Sequence, residues 1–284
     1  MRLTGSNLAR SFALSFIACA CLPGAGAHAN LFAQEAQPAR AARIVRTPEG
    51  ARGIELYERG DFTEAVKLLK QATDNRRDDA TSWHFLALAY QKLDKGKDAR
   101  KAIENAIFLR LLQLSPAAMG IKYKPWDELS REEREARRRE MAGYYKEAVA
   151  SVEVYLQLKP RAEAFWRQQY EGLSVHVRHN EQPDAGKEAF QSNDEGLSKV
   201  QVLYKPPPEY TETARRNRIK GSVVLRGLCS SDGTVKHVIA LTMLPDGLTE
   251  SAIEAMRQIK FTPATKNGRP VSQWVSIEYH FNFY

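Results

Sequence analysis

The chain has 284 residues, 43% hydrophobic and 27% charged, a balance that excludes wholesale disorder and leaves room for one or two ordinary domains. Its formal net charge is +8, and Arg2 and Arg10 account for two of those charges within the first 29 residues. Elsewhere the charges alternate in sign, which reads as a solvated basic surface and not as a nucleic-acid footprint.

The first segment has the layout of a secretory signal peptide, residues 1–29. Arg2 and Arg10 precede an apolar stretch at residues 11–22, Pro23 and Gly24 end it, and Ala27-His28-Ala29 forms a small-x-small cleavage site. Such a stretch rises about 18 Å as a helix, well short of the ~30 Å hydrocarbon core. Two alternatives stay open: retention as an inner-membrane anchor, and lipidation at Cys19 or Cys21. Membrane contact follows only from these. Cys229 is the one cysteine beyond residue 29, so the processed chain has no internal disulfide. Residues 30–47, rich in Ala, Gln and Arg, read as a tether.

Residues 48–174 carry a helical pattern that repeats. Gly53 aligns with Ala87, Leu56 with Tyr90, Ala65 with Ala99, Leu69 with Ile103 and Ala72 with Ala106, each pair 34 residues apart. Two antiparallel helices approach closely only where a side chain is small, so Gly53, Ala65, Ala72, Ala87, Ala99 and Ala106 mark crossings, with Tyr90 among the bulky residues around them. The period and residue types resemble the tetratricopeptide repeat. A third unit follows at Gly143, Tyr145, Ala148 and Pro160, after an insertion that includes a loop at residues 121–126. It is expected to hold a solvated helix at 131–140 with i,i+4 charge pairing and a second-helix pattern at 143–160, followed by a closing helix at 161–173. Ser130 and Glu133 form a capping-box sequence ahead of it.

Residues 175–199 read as a polar linker. His176, His179, Glu181 and Asp184 lie there without a cysteine or third histidine nearby, so no metal or other cofactor is expected. From residue 200 to 284 the pattern becomes helix, strand, strand, helix, strand, with turns at Ser231-Asp232-Gly233 and Pro245-Asp246-Gly247. In the last strand Val275, Ile277, Tyr279 and Phe281 alternate with Ser276, Glu278 and His280, which sets one buried face against one wet face, Trp274 being the apolar exception.

This C-terminal segment resembles the TonB C-terminal domain. The resemblance rests on Pro208-Glu209-Tyr210 with Ala214, Ile219-Lys220-Gly221-Ser222-Val223, Asp232-Gly233-Thr234-Val235, Ala252-Ile253-Glu254-Ala255, and Phe261-Thr262-Pro263-Ala264 followed by Asn267-Gly268-Arg269-Pro270-Val271. The expected fold is multidomain: an all-α tetratricopeptide-like repeat, then a small α+β domain of order α-β-β-α-β with a three-stranded antiparallel sheet. The resemblance implies a Gram-negative envelope protein that takes up an extended peptide of an outer-membrane transporter beside its last strand. The implied edge is Gln273, Trp274, Val275, Ser276, Ile277, Glu278, Tyr279, His280 and Phe281. Trp274, Ser276 and Glu278 are expected to tune selectivity, and the repeats to hold a second protein partner.

Two functions follow from this layout: a periplasmic adaptor, or an inner-membrane-anchored energy transducer for TonB-dependent outer-membrane transport. Catalysis is not expected. The sequence has no phosphate-binding glycine loop, nucleophile elbow or histidine ligand cluster, and Cys229 falls on the apolar face of its strand.

Overall fold

The computed structural model describes residues 47–115, 124, 128–182, 188–191, 194 and 196–282. The segments expected as a signal peptide and, except for its last residue, as a tether, most of the loop at 121–126 and Phe283 lie outside the described residues.

Six helices form the first layer: α1 (Pro48–Glu58), α2 (Phe62–Asn75), α3 (Ala80–Lys92), α4 (Gly96–Gln113), α5 (Arg131–Gln157) and α6 (Glu163–Glu181). Local chemistry sets their starts. Thr47 caps α1 by accepting from the Gly50 amide, and Pro48 supplies its first residue, where no donor is needed. Asp79 caps α3 in the same way, and Ser130 with Glu133 completes a capping box on α5. Ala65, Ala72, Ala87, Ala99, Ala106 and Ala148 are fully buried, and Tyr90 packs half-buried against the same core. At Gly53 a Cβ would stand 2.7 Å from Leu69 Cγ, so the α1–α2 crossing leaves no room for a side chain.

The third helical pair differs from expectation. Residues 131–157 form one uninterrupted helix, α5, which pairs with α6; no turn separates a solvated first helix from a second. Only Gly143 weakens the run, and its Cα faces open space.

The second layer is built on a sheet. The elements from residue 189 onward are β1 (Ala189–Gln191), β2 (Leu197–Ser198), β3 (Gln201–Tyr204), α7 (Glu212–Arg216), β4 (Gly221–Cys229), β5 (Val235–Ala240), α8 (Leu248–Arg257), β6 (Lys260–Thr262), β7 (Ala264–Lys266) and β8 (Arg269–Phe281). The main sheet has the order β2-β7-β8-β4-β5 with β1 also on β8, and β3 pairs with β6 in a separate two-stranded sheet. The expected order of α7, β4, β5, α8 and β8 is present, with short strands added at the rim. Thr211 caps α7 and also donates to the Asp246 carbonyl at 2.6 Å, tying the helix to the turn before α8. Asp246 and Gly247 in that turn, and Gly233 in the β4–β5 turn, take positive φ, which suits the Asp-Gly sequences found there.

Each face of the sheet has its own core. Val223, Leu225, Val238, Ala240, Tyr279 and Phe281 pack on α7 and α8, and Cys229 joins them, nearly fully buried. Burial in these apolar surroundings pushes the Cys229 thiol up to about 12. Leu228, Ile239, Leu241 and Trp274 point the other way and join the core of the helical layer.

That second contact overturns the linker reading of residues 175–199. Helix α6 runs on to Glu181, and the chain after it contributes β1 and β2. The helix lies against β5, where the Gln169 side chain accepts from the Ala240 amide at 2.8 Å. Close approach depends on Gly172, where a Cβ would fall 2.8 Å from Ile239 Cγ1 and 3.4 Å from the His237 carbonyl oxygen. The sequence hid this because a helix buried on two sides at different points shows no single apolar stripe.

The two helix-interior glycines therefore predict opposite outcomes. Gly143→Ala raises stability by about 0.5–1 kcal/mol, since it removes backbone entropy from the unfolded chain and meets nothing in the fold. Gly172→Val lowers it by about 1–3 kcal/mol through overpacking against β5. Urea denaturation midpoints of the two variants check both signs.

Candidate functional site

Strand β8 is the longest in the sheet, and its two edges are unequal. Along one edge β4 pairs with it continuously, from Gly221 opposite Phe281 to Cys229 opposite Gln273. Along the other edge β7 takes residues 269–271, and β1 takes Ser272, Gln273 and Trp274 in parallel register. Among the described residues no strand pairs with that edge at residues 275–281.

The backbone direction along this stretch can be fixed. Val224 lies opposite Glu278 but turns its amide to Thr242 Oγ1 and its carbonyl to the Leu241 and Thr242 amides, away from β8. Glu278 is thus in a non-hydrogen-bonded pair with β4, and so are its neighbours two residues on either side. Ser276, Glu278 and His280 aim their N–H and C=O groups at the open edge. Lys205 already engages one of them, donating from Nζ to the Glu278 carbonyl at 2.6 Å while lying 4.5 Å from the centre of the Tyr279 ring.

The expected edge residues thus divide. Val275, Ile277, Tyr279 and Phe281 pack toward α8. Ser276, Glu278 and His280 are exposed on the other face, where Ser276 accepts from Arg226 Nη1 at 2.9 Å and His280 pairs with Ser222 at 2.7 Å. Gln273 is buried, and its side-chain oxygen accepts from the Val200 amide. Trp274 corrects the expectation of an exposed selectivity residue: it is fully buried, and its edge is covered by β1. The apolar exception in the alternation marks the point where α6 lands on the wet face of the sheet.

Around Trp274 sits a polar cluster that the linker reading missed. Trp274 donates from Nε1 to His179 Nδ1 at 3.3 Å, and its ring meets that of His176 edge-on at 4.7 Å. His176 stacks on Tyr145 of α5 at 3.7 Å. Arg226 donates to His176 Nε2 at 3.1 Å and to the Gln191 side-chain oxygen, while Gln191 donates to Asn180 at 2.8 Å. An arginine can only donate, so it holds His176 Nε2 as an acceptor and favours the neutral ring. Burial first, and Arg226 second, lower the His176 pKa well below 6.5. Among the described residues no group of three or more His, Cys, Asp or Glu side chains is arranged to hold a metal.

A second buried polar group ties the helical pairs together. Arg110 on α4 is nearly fully buried and reaches His84 Nδ1 on α3 at 3.2 Å, the Glu147 carbonyl on α5 at 2.7 Å, and Ser151 Oγ. Burial, then the Arg110 charge, push His84 down to about 3. This cluster is not legible in the residues alone, because Arg110 sits in a helical run indistinguishable from a surface position.

Residues 206–283 match the family model described as Gram-negative bacterial TonB protein C-terminal. Among solved structures, the chain is similar to the solution NMR structure of the Pseudomonas aeruginosa TonB C-terminal domain, at 23% identity over 33% of this chain and 92% of that one, with a TM-score of 0.27. It is also similar to the first TPR domain of Spaghetti (RPAP3) bound to the HSP90 peptide SRMEEVD, at 19% identity over 46% of this chain and 90% of that one, with a TM-score of 0.23. No curated protein matches the chain. The chain thus joins tetratricopeptide-like helices to a TonB C-terminal-type domain.

Trp274→Ala is expected to destabilise the fold by about 3–5 kcal/mol, as for a large core truncation, and to loosen α6 from the sheet. Tryptophan fluorescence and urea unfolding report both. The buried histidines set an acid limit. Their folded pKa values lie below the unfolded value of 6.5, so the unfolded chain takes up protons first. Their stabilising effect is complete above pH 6.5 and falls with pH by about 1.4 kcal/mol per unit for each histidine, until the folded pKa is reached. Unfolding free energies measured from about pH 6.5 to about pH 5, above the carboxylate range, should show this slope, and His176→Gln should remove one histidine's share.

Proposed function

We propose that this chain, a tetratricopeptide-like repeat joined to a TonB C-terminal-type domain, is a protein-binding adaptor of the cell envelope that takes up an extended peptide along the β8 edge at residues 275–281. The observation that carries this reading is the run of outward-facing backbone groups at Ser276, Glu278 and His280 on a strand whose other edge is continuously paired with β4. An edge of this kind supplies affinity through main-chain hydrogen bonds, and the exposed side chains of alternate residues supply selectivity.

The recognition elements are shorter than the nine residues expected, and the selectivity residues are Ser276, Glu278 and His280, without Trp274. The helical layer offers a surface for a second protein. Binding and not catalysis is the work proposed for both parts. Among the described residues no helix is long and apolar enough to cross a membrane. The adaptor reading needs no anchor, whereas the transducer alternative requires one in residues 1–29.

Ser276→Pro tests the edge. The Ser276 amide points away from β4, so a proline there removes an outward donor and leaves the β4 ladder intact, the setting in which edge strands accept proline. Binding of a transporter-derived extended peptide, followed by calorimetry, should weaken by about tenfold or more while the circular dichroism spectrum is retained. Unchanged affinity in a folded variant removes β8 as the binding edge.

A further inference from the structure

Strands β2 and β3 run in one register against β7 and β6. Leu197 faces Lys266, Ser198 faces Thr265, Gln201 faces Thr262 and Val202 faces Phe261. Together they form a two-stranded arm at the rim of the sheet, and β3 is its outer strand. Apart from β6, no strand among the described residues pairs with β3, so one of its edges is open.

The arm is unusual in two respects. Val202, Leu203 and Tyr204 are 42%, 69% and 57% exposed, and they are the exposed large hydrophobics of the described chain. The register of β3 against β6 shifts between Val202 and Tyr204, so the ladder is irregular where these three side chains meet solvent. The arm also carries charge of one sign: residues 197–205 and 259–269 contain Lys199, Lys205, Lys260, Lys266 and Arg269, and no acid.

We propose that the open edge of β3 is a second strand-addition site, and that its occupant is an extended apolar segment of another protein flanked by acidic residues. Three observations select this occupant. A second copy of the chain, paired antiparallel about Val202, sets Lys199 opposite Lys205 and brings one all-cationic arm against another. A lipid bilayer attracts the lysines but does not admit an unpaired strand edge into its hydrocarbon. An acid-flanked strand satisfies the backbone groups, covers Val202, Leu203 and Tyr204, and meets the lysines with opposite charge. The strand precedes the TonB-type segment and differs from the β8 edge, and Lys205, which donates to the Glu278 carbonyl, touches both.

The test titrates the full chain with two fluorescein-labelled peptides that share an alternating Val-Thr core. One is flanked by aspartates, the other by lysines. Phosphatidylglycerol vesicles and sedimentation of the chain alone complete the set. The aspartate-flanked peptide is expected to bind, the lysine-flanked one to bind about tenfold more weakly or worse, and the double variant Leu203→Ser with Tyr204→Ser to lose about tenfold for the first peptide. Both substitutions are at exposed positions, so the fold is retained and circular dichroism checks it. The proposal is overturned by equal affinity for the two peptides, by no binding at millimolar peptide, or by binding that the double variant keeps and Ser276→Pro loses. Vesicle capture that depends on Leu203 and Tyr204 without peptide discrimination overturns it in favour of a membrane. A dimer abolished by the double variant overturns it in favour of a second copy.

Discussion

The contact between α6 and the sheet governs the rest of this structure. At Gly172 the helix comes so near β5 that a single methyl group would strike Ile239. Everything else at the junction follows from that proximity: Gln169 reaches the Ala240 amide, Trp274 finds a buried place beside His176 and His179, and the apolar residues on one face of the sheet merge with the helical core. The helix covers one edge strand, β5, and one face. It thereby leaves the far edge of β8 as a place where backbone groups meet solvent. Strand edges are liabilities that folded proteins cover or charge. Among the described residues the β5 edge is met by a helix and part of the β8 edge by β1, and the open stretch of β8 carries the polar side chains of Ser276, Glu278 and His280.

The polar groups at this junction constrain it further. A wholly apolar interface between a helix and a sheet tolerates sliding, since many registers bury similar area. Arg226 does not, because it must meet His176, Gln191 and Ser276 together. Arg110 performs the same service among α3, α4 and α5. Groups of this kind add little net stability but penalise every arrangement that leaves one of them unpaired.

Much of this fold was legible in the residues. The 34-residue spacing of alanines located the helical crossings, and every one of those alanines is buried. The Ser130 cap located the start of α5, and the Asp-Gly turns and the alternation of the last strand located the sheet elements. The expected binding edge was legible only in part. Alternation identifies which side chains share a face, but it is silent on which edge a distant segment will cover. Ala189-Phe190-Gln191 looked like linker sequence, because three residues hold no period long enough to recognise. Trp274 stands out as an anomaly in its strand; alternation alone implies exposure there, whereas the anomaly marks a docking point. His176 and His179 lack a third ligand, a criterion that speaks to metals and is silent on packing.

The unbroken run of α6 from the helical layer onto the sheet fixes the separation and angle between the helical surface and the β8 edge. Two modules on a flexible tether sample many spacings, and each bound partner sees the other at an averaged effective concentration. A shared helix removes the averaging. On the proposed adaptor reading, partners whose attachment points match the built-in spacing would be bridged with full avidity, and those that do not match would gain nothing from being held by the same molecule. An adaptor built this way would act as a gauge, discriminating between pairs of partners by the geometry in which they present themselves.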